Sequence, residues 1–118
     1  MFVKVKVNDS TLAVGTVVTY DSVNAVWSSA ANDNDLIGVI EQAPEQDTET
    51  SEWFAKTSFA GATWALADRA IPDEGGELCV VNGRVYVDNT TDGCGIIAPL
   101  PRGQVSRVEN DLVMVHLR

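Results

Sequence analysis

With 118 residues and 12.7 kDa, the chain fits one domain and leaves little room for a second independent core. At 45% hydrophobic and 21% charged residues it has enough apolar material to pack and too much to stay disordered. Seventeen Asp and Glu against eight Lys and Arg give a net charge of −9. That charge repels phosphate backbones and anionic headgroups, which argues against nucleic acid and membrane as partners.

Valine occurs 17 times, more than Leu and Ile together, and nine Thr join it, a bias toward strands. The expected fold is therefore all-β, a small barrel or sandwich of hairpins with an N-terminal arm strand and at most one short helical turn. Residues 1–10 read as the arm and 11–118 as a single β domain. FVKVKV alternates, with Val3, Val5 and Val7 on one side and Phe2, Lys4 and Lys6 on the other. Such a strand either adds to a neighbour's sheet by main-chain pairing or serves as the protein's own first strand.

Residues 15–30 read as two strands around a turn at Asp21 to Asn24. A polar NDND run (32–35) precedes a short buried strand in 36–42, which ends before Pro44. Five acids then fall within residues 41–52, an exposed loop. Residues 52–67 hold Trp53, Phe54, Phe59 and Trp64, four of the eight aromatics, and read as two strands bent at Gly61. ADRAI before Pro72 suits one helical turn. Asn82-Gly83 between apolar runs is the favoured two-residue type I′ turn, predicting a hairpin over 76–90. Another short strand lies in 93–101, and 105–118 reads as a hairpin turning at Glu109 to Asp111.

Two blocks echo one another: a hairpin, a polar Asx run, a glycine followed by a β-branched residue and Ile, and a proline six residues after that glycine. The glycines are Gly38 and Gly95, the prolines Pro44 and Pro101. The echo predicts pseudo-repeated halves of one β structure.

Catalytic and cofactor motifs are not found: there is no phosphate-binding Gly-rich loop, no H-E-x-x-H and no G-x-S-x-G. Asp88 to Gly93 resembles the start of a calcium loop, but Pro99 stands where the bidentate Glu belongs, so an Asx turn is the simpler reading. Asp33 with Asp35, and the carboxylates of Glu41 to Glu52, read as solvated loop acids. Cys79 and Cys94 lack zinc-ligand spacing and read as reduced core residues. His116, the only histidine, has no evident triad partners. No catalytic, cofactor or metal site is expected. No apolar stretch nears the ~20 residues that span a bilayer, and MFVKVKVNDS has no signal-peptide core, so synthesis in the cytoplasm is expected.

What remains suits contact. Trp53, Phe59 and Trp64 are candidate anchors of an oligomer or partner interface, because Trp brings large area with a polar handle. The stretch from 17 to 66 resembles the small head decoration, or cement, proteins of tailed bacteriophages, the lambda-type especially. The likeness rests on an aromatic-Asp hairpin step (Tyr20-Asp21), a Gly-Val strand (Ile37-Gly38-Val39), a D/T-rich loop (Asp47 to Thr50) and an aromatic-x-Lys-x-x-Phe strand (Phe54, Lys56, Phe59). LVMVHLR also resembles the closing strand of a second small cement family. The resemblance implies a mostly-β homotrimer on the outer capsid surface of the virion, made in the host cytoplasm and bridging major capsid protein subunits. It gives Phe2, Val3, Lys4, Val5 and Lys6 the role of capsid-contact arm. Residues 72–118 carry more hairpins than a lambda-type relative has. A rival reading is a receptor- or carbohydrate-binding module of a phage tail or spike, and a further one an enzyme using Cys94 or the acidic loop.

Overall fold

The computed structural model describes residues 2–32, 36–99 and 107–118. The described residues are strands, turns and loops, with no helix. Eleven strands run β1 (Phe2–Val7), β2 (Val17–Asp21), β3 (Val26–Ser29), β4 (Ile37–Ile40), β5 (Glu45–Gln46), β6 (Trp53–Ser58), β7 (Gly61–Leu66), β8 (Gly76–Val81), β9 (Arg84–Val87), β10 (Gly95–Ile97) and β11 (Leu112–Leu117). The all-β expectation holds.

The first sheet has the order β1-β3-β2-β4-β6-β5, and β1 also pairs with β6. That second pairing closes β1, β3, β2, β4 and β6 into a five-stranded barrel, which removes the exposed sheet edges. The second sheet has the order β7-β11-β10-β8-β9. It repeats the five barrel strands of the first, β5 having no counterpart. Val5 faces Ala55 as Ala65 faces Val113, and Tyr20 faces Trp27 as Val80 faces Val85. Val17 faces Val39 as Glu77 faces Ile96, and Val39 faces Ser58 as Ile96 faces His116. The parallel contact that closes the first barrel, Val7 on Trp27, has its counterpart in the isolated parallel bridge Ala67 to Val85. Bonds flanking the ladders repeat too: Asn8 N donates to Trp27 O at 3.2 Å and Asp68 N to Val85 O at 2.8 Å.

The echo around Gly38 and Gly95 is thus the visible remnant of a repeat of the whole five-stranded unit. The two units remain one packed body. Val17, Ala30, Ile37 and Val39 of the first lie in one core cluster with Ala65, Leu78, Ile97, Val113 and Val115 of the second. The smaller cluster of Val7, Val18, Ile40 and Ala55 fills the first barrel. Sharing one core lets two units of this size coexist in a chain whose length reads as a single domain.

Backbone bonds stitch the units. Val17 N donates to Gly83 O (2.8 Å), Gly83 N to Ala30 O (2.6 Å), Asn82 N to Ala31 O (3.1 Å) and Leu66 N to Gly15 O (2.9 Å). The β8–β9 turn is of the expected kind, with φ of 48° at Asn82 and 77° at Gly83, both positive as type I′ requires. A Cβ on Gly83 would strike Ser29 Oγ and lie 3.0 Å from Thr16 Cγ2.

Several local expectations give way to long-range pairing. The arm is not separate: β1 pairs along its whole length with β6 and joins β3 at Val7, so its main-chain groups are used within the barrel. The two strands read over 52–67 belong to different sheets, the chain crossing between units at Gly61, where φ is +76°. ADRAI makes no helical turn, because Ala67 bridges Val85 and Ile71 bridges Arg107. The turn read at Glu109 to Asp111 is present, Asp111 N donating to Val108 O at 3.0 Å, and the strand after it, β11, pairs with β7 and β10; residues 105 and 106 lie outside the described set. Asp33, Asp35 and Pro101 also lie outside it. The acidic loop contains the two-residue strand β5 on the margin of β6.

Arg107 is 3% exposed, with Nη1 donating to Ala98 O and Nη2 to Pro72 O, each at 2.7 Å. Its Nε has no hydrogen-bond partner among the described residues. Arg107→Lys replaces the planar fork, which reaches the two carbonyls from separate nitrogens, with a single point donor, so urea denaturation should show a loss of about 1–3 kcal/mol. Gly83→Val forces a branched side chain into a left-handed turn and against the first unit. Its melting temperature should fall by about 5 °C or more, and an unchanged value would show that the seam tolerates a Cβ.

Candidate interaction surface

Alternation in β1 and β6 sends side chains alternately into the barrel and out of it. Val7 is buried, Val5 half-buried and Val3 50% exposed, so the inward row opens toward one end of the barrel. Lys4 lies directly opposite Lys56, and Lys6 opposite Phe54. All three lysines of the chain therefore fall on these two adjacent strands. Like charges placed opposite one another in a sheet repel. Lys6 also pairs with Glu52 at 3.1 Å, both side chains well exposed, an ion pair of small value.

Where β5 meets β6 a groove of about 300 Å³ is lined by Lys4, Glu45, Gln46, Asp47 and Phe54. Four of those five residues are exposed and Phe54 is half-buried, so no desolvated charge is present to orient a ligand.

The three candidate aromatics separate. Trp53 packs against the Val7, Val18, Ile40 and Ala55 cluster. Phe59 packs against Trp27 with ring centroids 4.9 Å apart and planes tilted by 60°, and Trp27 in turn meets Tyr20 at 5.6 Å. Only Trp64 stands out into solvent, at 46% exposure. It lies opposite Met114, with Leu66 opposite Leu112 on the same face. Ile96, 44% exposed, continues that face onto β10 beside His116. These neighbours were not singled out by sequence, because both phases of LVMVHL are apolar and alternation alone does not say which phase is covered.

The remaining candidates sit in ordinary surroundings. Asp47 caps its own turn by accepting from Glu49 N at 2.8 Å, and Glu41 accepts from Thr63 Oγ1 across the seam. Asp88 accepts from Thr90 Oγ1 (2.6 Å) and Thr90 N (3.0 Å), an Asx turn. Cys79 and Cys94 are not joined in a disulfide. Cys79 is buried with its sulfur 3.4 Å from Thr91 Oγ1, while Cys94 packs against the larger core cluster. His116 is exposed on the outer side of β11. Among the described residues no group of three or more His, Cys, Asp or Glu gathers as a metal site would.

Compared with protein-family models, curated proteins and solved structures, the chain matches none.

Turn capping leaves an electrostatic signature. Hydrogen bonds from the Asn24 side chain and backbone hold Asp21 below the ordinary aspartate value, and those from the Thr11 and Thr90 side chains and amides do the same for Asp9 and Asp88. A carboxyl whose folded pKa is lowered contributes stability above its unfolded value, here 3.8, and loses it as pH falls through the folded one. Melting temperature should therefore drop between about pH 4 and pH 2, and drop less in an Asp9→Ala, Asp21→Ala, Asp88→Ala triple variant. Parallel pH profiles for the two proteins would refute this assignment.

Proposed function

We propose that the protein is a non-enzymatic bacteriophage capsid decoration protein. It docks on the outer surface of the head as a homotrimer, bridges neighbouring major capsid subunits and stabilises the shell. Of the residues that carry the resemblance, Tyr20-Asp21 lie on β2, Ile37-Gly38-Val39 on β4, and Phe54 and Lys56 on β6, all strands of one barrel, while Asp47 to Thr50 and Phe59 lie in connections beside it.

The observation that carries the reading is the wide scatter of exposed apolar side chains on a body with principal extents of 46 × 28 × 23 Å. Val23 is 90% exposed at the β2–β3 turn and Tyr20 44% on the same hairpin, while Trp64 and Ile96 stand on the other unit. A clamp needs several modest contacts made at once, since each later contact becomes effectively intramolecular. A length of 46 Å suits contact with more than one shell subunit. The net charge of −9 keeps such a protein off packaged or free nucleic acid.

Saturating protein added to mature shells lacking it should raise the temperature of DNA release by several degrees. No change in that temperature would overturn the proposal. The exposure of Trp64 also favours a second reading, a carbohydrate-binding module of a tail or spike, since an exposed indole is a platform for a sugar face. On that reading a glycan array would show saturable binding that is lost in Trp64→Ala.

A further inference from the structure

We infer that the outer face of β7, β11 and β10 is the surface through which one copy of this chain binds another. The inference deepens the homotrimer part of the reading above and does not depend on the shell.

The face is built in cross-strand rows. Leu66 lies opposite Leu112, Trp64 opposite Met114, and His116 opposite Ile96. Leu112 is 43% exposed, close to Trp64 at 46% and Ile96 at 44%. None of these six residues carries a carboxylate, ammonium or guanidinium. A sheet face left to solvent ordinarily carries polar residues.

The repeat supplies an internal comparison. Matching registers put Lys4 of the first unit where Trp64 stands in the second, Lys6 where Leu66 stands, Lys56 where Met114 stands and Phe54 where Leu112 stands. One geometry therefore exists twice in the chain, once charged and once apolar. The difference lies on the outer face, while the inner rows are mostly apolar in both units: Val7 and Ala67, Val18 and Leu78, Ile40 and Ile97, Ala55 and Val113 are all buried, with Thr57 and Thr63 the buried polar members.

The chain also shows what covers such a face. Val17 and Val39 form an outward cross-strand pair on β2 and β4, yet both are 0% exposed because the second unit sits on them. Ile96 holds the position of Val39 in the repeat, and among the described residues no further unit lies over it. The apolar face is moreover continuous with the seam, since a Cβ on Gly15 would lie 2.5 Å from Leu112 Cδ2 and 3.1 Å from Leu66 Cγ. The unit that covers the first barrel is one of this same design, so the occupant assigned to the open face is a unit from another copy.

Sedimentation velocity over about 1 to 100 µM tests this. Wild-type protein should self-associate within that range, and Trp64→Lys and Ile96→Glu should each weaken association at least tenfold. Lys4→Glu, at the matching place on the first barrel, should leave it unchanged. Trp64→Lys installs the residue that the first barrel already carries, and far-UV circular dichroism confirms that each variant keeps its strands. A wild type that stays monomeric throughout would overturn both the inference and the preformed trimer. Association unaffected by both face variants would overturn this face alone and leave the trimer. The shell assay reads independently of either result.

Discussion

The structure depends on a close backbone approach between its two five-stranded units. Gly83 accepts from Val17 and donates to Ala30 within a turn that presses on Thr16 and Ser29. Those bonds bring the outward pair Val17 and Val39 under the second sheet and turn what would be solvent-facing residues into core. Without the seam, the first barrel would expose that pair and the second sheet would lose much of its larger cluster. Two units of this size are marginal alone and stable together for the same reason that oligomers of small β domains are.

The repeat has kept what packing demands and changed what solvent or a partner sees. Most interior positions trade Val, Ala, Ile and Leu among themselves, as cores allow, while Thr57 stands where the second unit has Val115 and Val3 where it has Thr63. Outer positions trade lysine for tryptophan, leucine and methionine. The seam is itself unsymmetrical. The β8–β9 turn of the second unit inserts against the first, whereas the matching β2–β3 turn leaves Val23 90% exposed. In the second unit the place of Val17 is taken by Glu77, whose N–H is met instead by the Asn89 side chain at 2.9 Å. The seam contact made at Val17 is therefore not repeated at Glu77.

Local chemistry was legible from sequence wherever it sets structure locally. Asn82-Gly83 fixes its hairpin because two adjacent positive φ values are needed there, and the Asx turns at Asp21 and Asp88 follow from carboxylates within reach of nearby amides. The Gly38 and Gly95 echo was visible because both glycines sit in tight packing, against Thr57 and Phe59 in one unit and the His116 backbone in the other. Strand partners were not legible. That β6 and β7 part at Gly61, or that β11 joins β7 from some 50 residues away, depends on which apolar faces meet once the barrel and the second sheet pack, and alternation within a strand is silent on that. The aromatics show the same limit. Trp53, Phe59 and Trp64 look alike as letters, and only the closure of the first barrel decides that two are covered and the third is not.

Closure also constrains how this protein meets a partner. In the first barrel β1 is paired with β6 and β3, so the N-terminal strand contributes side chains to a contact rather than main-chain groups. Binding by strand addition would require opening a six-residue ladder, whereas binding by faces costs only the desolvation of side chains already standing out. The two units offer different faces for that purpose, one basic across Lys4 and Lys56, the other apolar around Trp64. A charged face tunes rate and orientation of encounter, and an apolar one supplies holding free energy. The double unit carries both kinds of face side by side, joined through the shared core.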